Sequence, residues 1–347
     1  MSKFVVLYGY HTIKDECMKK IGSLLLVFLM LFSGCAKAPE NSANRYSATY
    51  WDLFDTITEL SGFASSQQEF DAAAEQFHQQ MLRYHQLFDI YNSYEGIHNL
   101  KTVNDQAGIA PVAVEVEIIE LLTLCQEFAE GSQGAVDVTM GAVLRLWHDA
   151  RTDGSYVPEM ADLETALEHT GFDKLVIDRE NSTVFLTDPN ASLDVGAIAK
   201  GYATGKVCEQ LPAGYLASVG GNIYATGPKP SGDWVVGIQS PEGDGYVRTV
   251  SLNKGAVVTS GDYQRYYTLD GVRYCHIIDK NTLYPANRWK SVTVYCEDSG
   301  LADCLSTALF VLSLEDGQAL LDHYGAEAMW IAQDGTYSYS PNFEPEA

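Results

Sequence analysis

Apolar residues recur along this chain with two periods, and the switches between them lay out its elements. Phe70, Ala73, Ala74, Phe77, Met81, Tyr84 and Phe88 return every three to four positions, which predicts a helix over 66–88 with its stripe turned into a core. Shorter stripes predict helices at about 114–130 and 161–170. Alternation of period two marks a strand-like run from Tyr46 to Ser61, a hairpin in KLVIDRENSTVFLTD and several strands between Tyr215 and Thr268. LDVGAIAKGYATGKVCEQL reads as a strand running into a helix. A last helix over 301–323 precedes AMWIAQDGTYSYS, whose Asp334-Gly335 pair is a hairpin turn. No internal repeat or low-complexity block interrupts the pattern. The expected fold class is α+β, a single domain of mixed sheets and helices over 46–347, with two lobes as an option.

One apolar run fits neither period. MKKIGSLLLVFLMLFSGC at 18–35 sets Lys19 and Lys20 before an apolar stretch from Leu24 to Phe32 and ends in Ser33-Gly34-Cys35. The stretch is too short to span a bilayer permanently, and small residues precede the cysteine, so 1–34 reads as a signal peptide with a lipobox-like end. Asp15 and Glu16 sit ahead of the basic pair, an unusual leader that makes Met18 the better start. Residues 35–45 then comprise a lipidated Cys35 and a polar tether. The expected location is the extracytoplasmic face of a bacterial membrane, with the lipid as anchor.

Charge narrows the partners. The 347 residues carry Lys+Arg 22 against Asp+Glu 46, a net charge of -24. So acidic a surface repels phosphate backbones and excludes nucleic acid as a partner. A phosphorylated ligand would need a metal ion or a local nest of N–H groups. With Cys17 removed and Cys35 lipidated, Cys125, Cys208, Cys275, Cys296 and Cys304 remain. They show no C-x-x-C spacing, which leaves semi-buried thiols, with room for one disulfide in an oxidising compartment.

Three groups of residues could carry chemistry. In LADCLSTALFVL, Asp303 and Thr307 stand at i, i+4, where a carboxylate and a hydroxyl on one helix face suit Mg²⁺; equally, the aspartate could face the helix dipole and the threonine bond back to its own helix. In YCHIIDKNTLYPAN, alternation puts His276, Ile278 and Lys280 on one face of a strand. His276 is thereby the best general-base candidate, with a pKa expected near the working pH, or else a structural histidine at a strand end. Glycine-bearing turns at 194–202, 220–222 and 259–267 would let N–H groups approach a pyrophosphate, although none fits a Rossmann or P-loop pattern.

Taken in order, DLFDTIT, IYNSYEG, VDVTMGAVLRLW, LDVGAIAKGYATGKV, SVGGNIYATG, VVTSGDYQRYY, HIIDKNTLYP and ADCLSTALFVL resemble the FAD:protein FMN transferases, the ApbE family, over about 50–340. The resemblance implies a Mg²⁺-dependent enzyme that cleaves FAD. It would attach FMN by a phosphoester bond to a Thr or Ser of an acceptor flavoprotein and release AMP. It implies Mg²⁺ ligands in the Ala197 carbonyl, Asp303 and Thr307, and FAD contacts at Phe54, Tyr91, Asn92, Ser93, Asp137, Lys200 and Ile277. His276 would be the catalytic base, with Asp303 as ligand and proton relay. Two departures stand out: FDT replaces a Met-Gly-Thr motif, altering the isoalloxazine contact, and KNTLYP replaces Asp-Pro-x-Thr-Gly-x-Pro, changing a turn but sparing the histidine. An FAD pyrophosphatase giving FMN and AMP would need the same residues. A non-catalytic flavin-binding lipoprotein would have no use for Asp303, Thr307 and His276 together.

The processing expectation is directly measurable. Protein extracted from membranes should begin at lipid-modified Cys35, and an intact mass that retains residues 1–34 would refute this.

Overall fold

In the computed structural model, which describes residues 43–343 except 244, together with 345, the principal sheet has eight strands paired in the order in which the chain makes them. They are Asn44–Leu53, Thr56–Ala64, Tyr215–Val219, Asn222–Ala225, Gly255–Gly261, Trp289–Cys296, Glu327–Ala332 and Tyr337–Tyr339, and every ladder is antiparallel. Long insertions hang between these neighbours. The largest, between the second and third strands, holds α1 (Gln67–Phe88), α2 (Leu100–Asp105), α3 (Val116–Gly131), α4 (Gly141–Asp153), α5 (Met160–Leu167) and α6 (Ala199–Cys208). It also holds a small sheet in which Thr183–Leu186 lies between Val112–Ala113 and Leu175–Asp178. The sixth and seventh strands are joined through α7 (Ser299–Val311) and α8 (Leu314–Tyr324). Residues Asn41–Ala347 form one compact unit.

The core lies on both faces of the principal sheet, and strand alternation divides it. Along Gly255–Gly261, Ala256 and Val258 join the main core with Leu305, Ala308 and Leu309 of α7. Val257 points the other way, toward Trp234, Val236 and Leu252 of the hairpin Trp234–Gln239/Tyr246–Leu252. A strand buried on both sides reads as a continuous apolar run, as AVV does here. The stripe predicted over 66–88 is α1, with Phe70, Ala74, Phe77, Met81 and Phe88 buried. Its start is fixed by Ser66, whose hydroxyl accepts from the Glu69 N–H at 3.2 Å.

Four local expectations are corrected. The run from Tyr46 to Ser61 is two strands, because Phe54 and Asp55 both take left-handed φ values of 51° and 52° and reverse the chain. LDVG is not a strand: Ser192 forms one isolated bridge to Met140, and the Asp194 carboxylate then turns the chain by accepting from the Gly196 N–H at 2.8 Å. The strand expected through His276 is interrupted, ending at Cys275 and resuming at Ile278. The helix expected over 301–323 is divided because Ser313 caps a new one, its hydroxyl accepting from the Asp316 N–H at 3.1 Å. The helices α2 and α4 were not expected at all. The signal peptide, Cys35 and the tether up to residue 42 lie outside the described residues. All five thiols are free, and each is buried rather than semi-buried as expected.

The closest backbone approach that matters to the site is between α6 and α7. A Cβ on Gly201 would stand 2.3 Å from the Ser299 carbonyl oxygen and 2.6 Å from the Asp303 Cβ. Gly205, one turn on, would meet only the Ser299 Cβ at 3.4 Å and backbone at 3.9 Å. Gly201→Ala should therefore destabilise the fold by about 1–3 kcal/mol through overpacking. Gly205→Ala should be neutral or gain up to about 1 kcal/mol of helix propensity. Thermal unfolding of the two variants side by side checks this, and equal melting temperatures would contradict it.

Candidate active site

The first turn of α6 is where chain geometry becomes chemistry. A regular turn would have the Gly201 N–H donate to the carbonyl four residues back, at Ala197. Here that N–H donates instead to Asp303 Oδ2 at 2.8 Å. The next residue restores the helical pattern, with the Tyr202 N–H on the Ile198 carbonyl at 2.9 Å. The Ala197 carbonyl is thus left without a hydrogen bond among the described residues. Lys200 completes the turn, its Nζ 3.6 Å from Asp303 Oδ2 and 3.3 Å from the Gly196 carbonyl oxygen.

Asp303 itself is 4% exposed. Burial pushes its carboxyl above the ordinary range, against the opposing pull of Lys200 and the Gly201 N–H. Thr307 follows one turn later on α7. Thr204 of α6 bonds back to the Lys200 carbonyl at 2.6 Å, but the Thr307 hydroxyl makes no such bond among the described residues. The face of α7 is pinned by Ser306, whose hydroxyl meets that of Ser260 at 2.8 Å and donates to the Asp303 carbonyl at 3.0 Å. Asp303 supplies one carboxylate and Ala197 an unclaimed carbonyl, with Thr307 as a neutral hydroxyl. One carboxylate with neutral oxygens suits Mg²⁺, which commonly keeps waters and substrate phosphate in its remaining positions. No group of three or more His, Cys, Asp or Glu able to hold a metal occurs among the described residues.

His276 sits where the strand breaks. Its N–H donates to the Arg265 carbonyl at 3.0 Å, while Nδ1 is shut from solvent and has no partner among the described residues. Burial, then the charges of Arg265, Lys200 and Arg151, bring its pKa down to about 3. The expectation of a pKa near the working pH is corrected: burial makes the imidazole costly to charge, and the charges of three cations add to that cost. A second buried polar atom, Asn222 Nδ2, is also unpartnered among the described residues, while Asn222 Oδ1 accepts from the Ser299 hydroxyl at 3.0 Å. Unmatched polar atoms at one site are what a polar ligand would satisfy.

The segments expected to meet the flavin are joined through residues the sequence did not single out. The Phe54 N–H donates to His85 Nδ1 at 3.1 Å, and His85 Nε2 lies 3.3 Å from the Tyr94 hydroxyl. That hydroxyl donates to Asp89 Oδ2 at 2.7 Å, and Asp89 Oδ1 accepts from the Tyr91 and Asn92 N–H groups at 2.6 and 3.0 Å. Burial opposes ionisation of Asp89, but the bonds from Tyr94, Asn92 and Tyr91 together hold its pKa below the ordinary value. Tyr91, Asn92 and Ser93 are all exposed. Two expected contacts stand apart. Asp137 Oδ1 accepts from the Thr139 N–H and hydroxyl at 2.9 and 2.5 Å, in its own turn, and no bond joins it to Lys200, His276 or Asp303 among the described residues. Ile277 is buried in the main core, with its carbonyl taken by the Ala286 N–H at 2.8 Å.

A histidine whose pKa falls on folding makes stability depend on pH in a set direction. The unfolded chain takes up the proton near pH 6.5 and the folded chain only near 3, so stability is full above about pH 6.5 and drains away as pH falls toward 3. The slope contributed is about 1.4 kcal/mol per pH unit within that window. His276→Gln should flatten the loss of stability between pH 6.5 and 4.5, as followed by urea unfolding. A variant with the native slope would show that the ring is not held neutral.

Sequence and fold comparisons agree with one another. Residues 46–330 match the family model described as the ApbE family. Over 257 residues the chain is 38% identical to an FAD:protein FMN transferase of Treponema pallidum, covering 68% of this chain and 71% of that protein. The fold is similar to the crystal structure of an ApbE protein from Thermotoga maritima, with a TM-score of 0.78 and 32% identity over 86% of this chain and 98% of that one. It is also similar to the flavin transferase ApbE of Vibrio cholerae, with a TM-score of 0.73 and 26% identity over 87% and 98% of the two chains. With most of its length inside the matching model, and with the α6–α7 site inside that length, this chain belongs to the ApbE family.

Proposed function

We propose that this protein is an FAD:protein FMN transferase, which cleaves FAD, joins FMN through a phosphoester bond to a Thr or Ser hydroxyl of an extracytoplasmic acceptor flavoprotein, and releases AMP. The observation that carries this is the diverted Gly201 N–H, which fixes the buried Asp303 carboxylate and frees the Ala197 carbonyl beside it. The names of the relatives and solved structures support the flavin-transfer activity. The donor set supports Mg²⁺ held by Asp303, the Ala197 carbonyl and Thr307. Lys19, Lys20 and Cys35 support a lipid anchor.

FAD brings about two negative charges to a protein of net charge -24, so its pyrophosphate must be neutralised locally. Bound Mg²⁺ would supply that charge and stabilise the leaving phosphate oxygen. Lys200 stands against Asp303 and is available to the same phosphates. The acceptor hydroxyl oxygen forms a bond to the flavin-side phosphorus while the bond to the AMP oxygen breaks in line. His276 is neutral at the working pH and can take the hydroxyl proton as that bond forms. Arrival of the pyrophosphate offsets the cations that weaken the imidazole as a base, so basicity rises when substrate is in place. Phe54 and Tyr91, joined through His85, Tyr94 and Asp89, offer the aromatic surface for the isoalloxazine.

The test combines FAD, Mg²⁺ and a candidate acceptor, read by in-gel flavin fluorescence and intact mass. The acceptor should gain one FMN, with AMP formed in equal amount. Asp303→Ala should lower the rate by about 10²-fold or more, since a buried charge is lost. Thr307→Ala should cost about tenfold, since water can replace a neutral ligand. Formation of FMN and AMP with no labelled acceptor would favour FAD hydrolysis, and full activity of Asp303→Ala at low Mg²⁺ would overturn the metal assignment.

A further inference from the structure

A cavity of about 490 Å³ lies between α3, α6 and the first turn of α7, and none of Ala197, Lys200, Asp303 and Thr307 lines it. It is therefore separate from the candidate active site, although α6 and α7 contribute to both. Its volume falls in the range that small organic ligands occupy. Tyr202 and Gly205 of α6 line it, with Ile119 and Leu124 of α3 and Tyr224 of the strand Asn222–Ala225.

Carboxylates dominate the rest of the lining. Glu120, Glu127, Glu209, Glu297 and Asp298 all border the cavity and are exposed, against two cations, Lys206 and Arg179. Lys206 Nζ stands 3.8 Å from Glu120 Oε2 and 5.4 Å from the centre of the Tyr202 ring, so one ammonium already rests here between a carboxylate and an aromatic face. Arg179 meets Glu127 at 4.0 Å. Asp298 caps α7 by accepting from the Leu301 N–H at 2.7 Å, whereas Glu209 and Glu297 form no salt bridge among the described residues. Tyr224 adds an independent sign of a missing partner. It is 4% exposed, and its hydroxyl makes no hydrogen bond among the described residues. Burial, followed by nearby negative groups that include Glu209, Asp298 and Glu297, pushes its pKa up to about 12. A phenol oxygen so placed is satisfied by a donor that enters the cavity.

The five carboxylates do not gather around one point, since no group of three or more His, Cys, Asp or Glu among the described residues could hold a metal ion. They are spread over α3, the residue after α6 and the link into α7, with aliphatic and aromatic side chains between them. An occupant that meets several of them needs separated positive charges on an apolar stem. We propose that this cavity binds a short aliphatic polyamine, whose ammonium groups pair with Glu209 and Glu297 and donate to the Tyr224 hydroxyl while its methylene chain covers Ile119 and Leu124. The site stands independently of the flavin reading.

The test is isothermal titration calorimetry of the full chain with spermidine at low ionic strength. Spermidine should bind saturably at one site, putrescine more weakly, and added KCl should weaken both. Glu209→Gln combined with Glu297→Gln should reduce spermidine affinity about tenfold, the scale of one hydrogen bond to a charged group. Tyr224→Phe, which keeps the ring and removes only the hydroxyl, should reduce it about threefold or more. A chain of net charge -24 attracts cations over its whole surface, so a control is needed. Glu164→Gln combined with Glu168→Gln makes the same change of charge outside the cavity and should leave the affinity native. All four of these glutamates are exposed, so both double variants should fold. Equal losses in the two double variants would overturn the site in favour of diffuse attraction. Native protein that gives no saturable heat would also overturn it, as would displacement of spermidine by Mg²⁺ at matched ionic strength, the mark of a metal site.

Discussion

The site depends on one contact, the hydrogen bond from the Gly201 backbone to the Asp303 carboxylate across the α6–α7 interface. It needs a residue without a side chain on α6, because any Cβ would collide with α7. It also needs a carboxylate rather than a neutral group, since the carboxylate must draw the N–H away from the helix's own carbonyl. Three consequences follow together: Asp303 is fixed in a buried position, Ala197 presents an unclaimed oxygen, and Lys200 is brought against the same carboxylate. The Ser260–Ser306 pair then anchors α7 to the sheet, so that the geometry is set by packed elements and not by a loop.

Around that contact the protein concentrates what it otherwise lacks. The chain is strongly acidic, yet the charges of Arg265, Lys200 and Arg151 all act on one imidazole. The cost appears as a histidine that resists protonation and as buried polar atoms without partners among the described residues. Local conflict of this kind is expected at functional sites, where a group that would be costly in a core is kept for chemistry.

Much of the architecture is legible in the chain because its signals are local. The α1 stripe, the hairpin at 175–186 and the Asp334-Gly335 turn depend on neighbours in sequence, and all three are present. Asp303 with Thr307 and the strand-end His276 can be singled out as candidates for the same reason, from their spacing alone. What could not be read is long-range. The break between α7 and α8 is set by a serine cap inside a continuing apolar pattern, and the break at His276 by a change of hairpin. Arg151 and Arg265 are unremarkable where they stand in the sequence, and only the fold lets their charges act on His276. The same holds for His85, Asp89 and Tyr94, which tie Phe54 to Tyr91 across the end of α1. A signal that could have found Asp89 is its position directly after a predicted helix, followed by donors at Tyr91 and Asn92, the pattern of an Asx turn.

The order of strands in the principal sheet has a consequence for how the molecule comes into being. Thr56–Ala64 and Tyr215–Val219 are hydrogen-bonded neighbours, but the chain places six helices between them. Their pairing has a high sequence separation and belongs to the slow part of folding, whereas the insertion can order itself through local contacts. Phe54 enters with the first hairpin and Asp303 with a helix near the far end of the chain. A polypeptide still emerging vectorially therefore has Phe54 in place long before Asp303, and the candidate site is incomplete until almost all of the chain is out. Nucleotide capture is thereby reserved for the finished molecule.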